Sequence, residues 1–192
     1  VESTTASGRF DALRTIHALP SSQRIAVAPE SQRGSRLLEI LRKAIEVVKD
    51  RGERPLHQAI RYAFPGEEAS EVLQRSVDCF ESDVLRMFMV PASCIQHSGG
   101  EGFSAISMST TEKQTTTEQR YVMYVGVPWE KLGQSDTIDS LLAEAYVHEI
   151  AEHVMGLPHK LATLLELVVL PNNLSCATPN VSYDKSSSKV DG

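Results

Sequence analysis

Apolar positions recur at helical spacing from Leu37 onward, through Leu38, Leu41, Ile45 and Val48, and the pattern closes near Arg51-Gly52. A second helix is predicted to open at Pro55, whose missing N–H costs nothing in a first turn. It runs through Leu56, Ala59, Ile60 and Ala63 to the stop at Pro65-Gly66. The next stripe, Val72, Leu73, Val77, Phe80, Val84, Leu85 and Phe88, predicts one long helix from about Glu67 to Val90. The pattern then changes. Residues 91–102 read as a loop, and Phe103–Ser109 and Arg120–Val127 read as β-strands joined by a polar, Thr-rich link. Helical spacing returns at Ile138, Leu141, Leu142, Ala145 and Ile150, in a helix expected over Ile138 to Met155. Gly156 can end that helix in a left-handed conformation, Pro158 opposes its continuation, and Lys160 to Leu170 predicts a last helix stopped by Pro171. The sum is a helix-rich α+β fold with a small sheet beside the Ile138–Met155 helix.

Composition sets the outer limits. With 192 residues, 41% hydrophobic and 23% charged, the chain can bury a sizeable core, so disorder throughout is excluded. The expected organisation is a mobile leader over residues 1–36, one domain over 37–171 and a flexible tail over 172–192. Within the leader, Leu13, Ile16, His17 and Leu19 can form one short helix. Lys+Arg 19 against Asp+Glu 25 leaves a net charge of −6. That balance disfavours nucleic acid and anionic membrane surfaces, so a protein substrate or protein partner is expected. No apolar run reaches membrane-spanning length. Cys79, Cys94 and Cys176 are odd in number and widely spaced, which does not read as a disulfide framework and points to a reducing compartment. Asn173 and Asn180 begin glycosylation sequons, which matter only on a eukaryotic secretory route.

The chemistry concentrates in one place. His148, Glu149, Glu152, His153 and His159 fall within twelve residues, and half of the chain's six histidines are among them. Positions four apart on a helix lie nearly above one another, so His148 and Glu152 can grip one ion from a single face. This is the zincin arrangement, in which the Glu after the first ligand acts as general base toward water on the metal. Glu149 holds that position, and the turn at Gly156 can swing His159 back as a third ligand. Zn²⁺ is the expected ion, with a fourth position left for water. An anionic Glu152 where a neutral His is usual makes that water less acidic, so slow or selective proteolysis is expected.

A second register competes. His153-Val-Met-Gly156-Leu-Pro-His159 matches the second half of the pattern HExxHxxGxxH, but it places Ile150 where the base should be and predicts no catalysis. Glu166, on the last helix, is a candidate second-layer or alternative ligand. Cys94 and His97 invite a thiol-enzyme reading, although nothing in the sequence orients the imidazole. Tyr121 to Val125 is the candidate strand for pairing with an extended substrate at an exposed edge. His17 has no neighbouring ligand candidate, and His57, among polar neighbours at a helix start, reads as solvated rather than catalytic.

The run His148-Glu-Ile-Ala-Glu152-His-Val-Met-Gly156-Leu-Pro-His159 resembles the active-site segment of the NleC-type zinc metalloprotease effectors injected by enteric pathogens. That family carries HExxH, a similar His-Val-x-Gly, and an Asp ligand seven residues after its second His. Tyr121-Val-Met-Tyr-Val-Gly-Val-Pro is similar in placement to the strand before the family's metal helix. The resemblance covers about Tyr121 to His159, and Glu152 for His and His159 for Asp both depart from the family pattern. It implies a zincin-like domain, a Zn²⁺-dependent endopeptidase, secretion into a host cell and host signalling proteins as substrates. The alternative expectation is a non-catalytic helical interaction protein, either a decayed zincin or an unrelated effector or adaptor, with a cytoplasmic location if nothing exports it.

Overall fold

The computed structural model describes residues 6–49, 55–63, 69–95, 105–110 and 120–170. Along the chain these form α1 (Ala6–Ala18), β1 (Ile25–Ala26), α2 (Gln32–Lys49), α3 (Pro55–Ala63), α4 (Ala69–Glu81), β2 (Leu85–Pro91), β3 (Ala105–Thr110), β4 (Arg120–Val127), α5 (Ser135–Glu149), a π turn (Ile150–Val154) and α6 (His159–Glu166). The fold is helix-rich α+β with a small sheet, as the periodicity predicts. The expected tail from Asn172, the sequons at Asn173 and Asn180, Cys176 and His97 lie outside the described residues.

The sheet has four strands in the order β1-β2-β4-β3. β2 and β4 run parallel with Leu85 opposite Tyr121 and Pro91 opposite Val127, while β1 and β3 pair antiparallel on the outside. Both sheet faces are covered. On one, Leu85, Met87, Met89, Met123, Val125 and Val127 join the large core built with α2, α4, α5 and α6. On the other, Val90 and Tyr124 pack with Ile95 and with Ala12 and Ile16 of α1, flanked by Phe88 and Val122. Strands buried on both faces lose polar alternation and read as continuous apolar runs. That is why β2 is invisible to the periodicity of its own sequence.

The long helix expected from Glu67 to Val90 is therefore two elements. Its helical part ends at Glu81, and Asp83 adopts φ 59°, the left-handed conformation that usually falls to Gly or Asn at a helix end. Val84 N–H reaches back to the Cys79 carbonyl at 3.0 Å, and Arg86 Nε donates to Asp83 Oδ2 at 2.9 Å. These bonds close the helix and turn the chain into β2. An Asp doing the work of a Gly carries no sequence signal.

The stretch expected as a leader carries α1, β1 and the first turn of α2. Ile16 is fully buried against the sheet, and β1 pairs with β2. α2 starts earlier than Leu37 because Ser31 Oγ accepts the Gly34 N–H at 3.0 Å, an N-cap bond that satisfies one orphan donor. Gly34 is obligatory there: a Cβ would sit 1.7 Å from the Ala28 carbonyl oxygen.

α5 is held at both ends by contacts distant in sequence. Near its start, Arg33 of α2 bonds Asp139 at 2.9 Å and the Leu132 carbonyl at 3.3 Å. Further along, the Tyr146 ring stacks edge-on against Phe80 of α4 at 5.4 Å, with its hydroxyl 3.5 Å from the Leu85 carbonyl of β2. Ile138, Leu142, Tyr146 and Ile150 are fully buried. Burial of such side chains is worth roughly 1.5–3 kcal/mol each, so the helix cannot rotate without exposing its core stripe. The next residues, at its C-terminal end, are thereby aimed.

Candidate metal centre

The polar cluster forms where α5 stops being an α-helix. Over Ile150–Val154 the hydrogen bonds lengthen to the i→i+5 pattern, shown by Met155 N–H on the Ile150 carbonyl at 2.9 Å. Such π turns hold an extra residue and recur at functional sites. A wider turn brings positions four apart closer to eclipse, and two such pairs result. His148 Nε2 lies 2.9 Å from Glu152 Oε2, and Glu149 Oε2 lies 3.3 Å from His153 Nε2. Gly156, at φ 70°, then reverses the chain as the sequence predicts, with Leu157 N–H on the Ala151 carbonyl at 2.9 Å. Pro158 caps α6, which places His159 in its first turn.

That reversal brings His159 Nδ1 to 3.1 Å from the same Glu152 Oε2 that faces His148. The two imidazoles meet edge to face at 4.9 Å. One ligand atom from each of His148, Glu152 and His159 lies within 4.8 Å of the others, and among the described residues this is the one group so arranged. Exposure rises across it, from 4% for His148 through 30% for Glu152 to 43% for His159, so the cluster is anchored in the core and open toward solvent.

The donor set fits a transition-metal ion. Two imidazole nitrogens and one carboxylate oxygen are a three-protein-ligand set of the kind that leaves a fourth position free. Ligands about 2.0–2.1 Å from a tetrahedral ion stand about 3.3 Å apart, so the two contacts to Glu152 open by a few tenths of an ångström while the widest separation, up to 4.8 Å, closes around the ion. Carboxylates also outnumber cations here. Glu149, Glu152 and Glu166 meet imidazoles that are neutral when they ligate. Burial pushes the Glu144 carboxyl up to about 7, and the charge of Glu166 adds to it. Burial alone would lower the His148 pKa, but contact with Glu166, the charge of Glu149 and the hydrogen bond to Glu152 outweigh it and raise the value above an ordinary imidazole. Burial would raise Glu152, yet hydrogen bonds from His159 and His148 bring it below the usual carboxylate range.

Other sequence candidates fare differently. His153 turns to Glu149 and stays outside the ligand group, so the geometry assembles the first register and leaves the second apart. Glu149 is only 4% exposed. Glu166 reaches across from α6 to His148 Nδ1, on the ring side opposite Glu152. Burial pushes the Cys94 thiol up, away from the thiolate that a nucleophile needs. Tyr121–Val125 cannot take a substrate strand, because β4 is paired on both sides; the outer strands are β1 and β3. His17 lies at the surface, edge-on to Tyr124 at 6.2 Å. Two clefts of about 410 and 370 Å³ run along β1, and neither is lined by any residue of the cluster. No helix among the described residues is long and apolar enough to cross a membrane. Comparison with known proteins returns no matching family model, no matching curated protein and no matching solved structure, so the cluster has to be read from its own geometry.

Proposed function

We propose that this chain is a Zn²⁺-dependent endopeptidase in which His148, Glu152 and His159 hold the ion and Glu149 is the general base. The observation that carries the reading is the convergence of those three side chains at the solvent-facing end of a core-anchored helix. Bound zinc would supply a Lewis acid for the scissile carbonyl and a water acidified toward a pKa of about 7. Glu149 follows the first ligand directly, so its carboxylate can take a proton from that water and return it to the leaving amine. His153, 3.3 Å from Glu149, gives that buried carboxylate a partner, without which its burial would cost several kcal/mol. An extended protein substrate would pair with an outer strand, and β3, with six residues, is the longer of the two. The resemblance to NleC-type effectors supports secretion into a host cell and host signalling proteins as substrates.

Metal analysis of the purified protein tests this directly. The expected result is one zinc per chain, lost in His148→Ala. A metal-free wild type after incubation with zinc would abandon the proposal.

A second reading rests on the bonds Glu152 already makes. Its Oε2 meets both imidazoles, so the cluster is satisfied without an ion and can serve as a clasp between α5 and α6 in a non-catalytic interaction protein. In that case Glu152→Gln loosens α6, and added zinc leaves the melting temperature unchanged.

A further inference from the structure

His148 has a neighbour on each ring nitrogen, and only one of them belongs to the proposed ligand set. Nε2 faces Glu152, while the buried Nδ1 stands against Glu166 Oε1 of α6, close to it but outside ordinary hydrogen-bond geometry. The two nitrogens of an imidazole point to opposite sides of the ring. Glu166 is accordingly absent from the group whose ligand atoms converge, and it does not compete for the same ion.

We propose that Glu166 is a positioning residue for the metal centre, accepting the Nδ1 proton of His148 and so leaving the Nε2 lone pair directed at the ion. The inference rests on the metal reading above. A neutral imidazole ligates only through its unprotonated nitrogen, and which nitrogen that is follows from the hydrogen bond made by the other. In His148 the choice is contested. A proton on Nε2 can bond Glu152 Oε2 at 2.9 Å, and that tautomer removes His148 as a ligand while tying up Glu152 as well. A carboxylate against Nδ1 opposes this, because it offers the proton an equally ionised acceptor while Glu152 Oε2 is already shared with His159. With His148 only 4% exposed, its protein neighbours rather than bulk solvent set the tautomer and the ring plane, and Glu166 is the one at Nδ1.

The placement of Glu166 also follows from the chain. His159 and Glu166 are seven residues apart on α6, two turns along one face. The face that delivers the third ligand at its start therefore delivers the positioning carboxylate at its end. One short helix docked on α5 completes the site from both sides of the His148 ring.

The test uses the full chain, titrating Zn²⁺ against a chromophoric chelator near neutral pH. Glu166→Ala is expected to weaken zinc binding 10–100-fold with the stoichiometry of one retained. Glu166→Gln, whose amide oxygen still accepts the Nδ1 proton, is expected to fall between that variant and wild type. A clasp alone would not move the tautomer, so ¹⁵N spectra of the metal-free protein give the second readout, with His148→Ala assigning the signals. At a pH high enough to leave a single proton on the ring, wild type should show protonated Nδ1 at His148, and Glu166→Ala should shift the proton to Nε2. If Glu166→Ala fails to fold, Glu166→Gln carries both readouts. Wild type that binds zinc while both variants bind within twofold of it overturns the role of Glu166 and leaves the metal reading standing. Wild type that binds no zinc overturns both.

Discussion

The two ends of α5 each bury polar side chains, and they do so on different terms. At the N-terminal end Asp139 meets Arg33, one anion against one permanently charged cation, with the Leu132 carbonyl taking a further guanidinium N–H. Burial pushes Asp139 up, and the charges of Arg33 and Arg36 pull against that shift. This is a closed account between two helices. At the C-terminal end carboxylates outnumber cations, since the histidines carry no fixed charge, and three ligand atoms crowd together beside solvent. A buried ion pair is complete without a third party, whereas a surplus of converging donors is stabilised by a cation. The same helix thus carries a structural joint at one end and an arrangement that invites a ligand at the other.

The comparison breaks most sharply at Glu149. Glu149→Gln is expected to lower the rate of peptide hydrolysis by about 10²–10⁴-fold, the usual worth of a general base, measured on a protein substrate with zinc loaded. Zinc stoichiometry and melting temperature should stay close to wild type. Undiminished cleavage would remove Glu149 from the chemistry. Asp139→Ala should do the reverse. Stranding Arg33 costs about 2–4 kcal/mol, seen as a lowered denaturant midpoint, with zinc affinity unchanged. Equal losses of zinc affinity in Asp139→Ala and Glu152→Ala would erase the distinction between the two ends.

Added zinc sharpens it next. At a free concentration 100 times its Kd, an ion that binds only the folded chain stabilises by about 2.7 kcal/mol. That gain should appear in wild type and in Asp139→Ala, and vanish in Glu152→Ala. A separate effect is expected at Glu144. Its folded-state pKa of about 7 lies above the ordinary 4.5, so the folded chain holds this proton more tightly than the unfolded one. Stability from this group is full below about 4.5, declines as pH rises to about 7 and is flat beyond. Glu144→Gln should flatten that segment of the melting-temperature profile and melt higher than wild type above pH 7. A profile parallel to wild type would refute the assignment.

Much of the helical scaffold is written locally. α3 and β4 match their expected bounds, and the break at Gly156 and Pro158 falls where the sequence places it. The spacing of His148, Glu152 and His159 is legible for the same reason, because positions four apart and a left-handed Gly depend on nearby backbone alone. β2 is not legible. The helix before it ends on Asp83 rather than Gly, and its apolar run from Met87 to Val90 makes sense only once α1 covers one face of the sheet and the helices cover the other.

Local periodicity, then, determines which residues of this chain share a helix face, where the chain reverses at Gly156 and which three side chains can be carried toward one point. Only the tertiary structure decides the rest: that β4 is interior to the sheet, that His153 turns to Glu149, that Glu166 backs the His148 ring, and that Arg33 meets Asp139 from 106 residues away. Contacts of that kind depend on how packed layers register with one another, and a periodicity read over a few turns contains no information about that register.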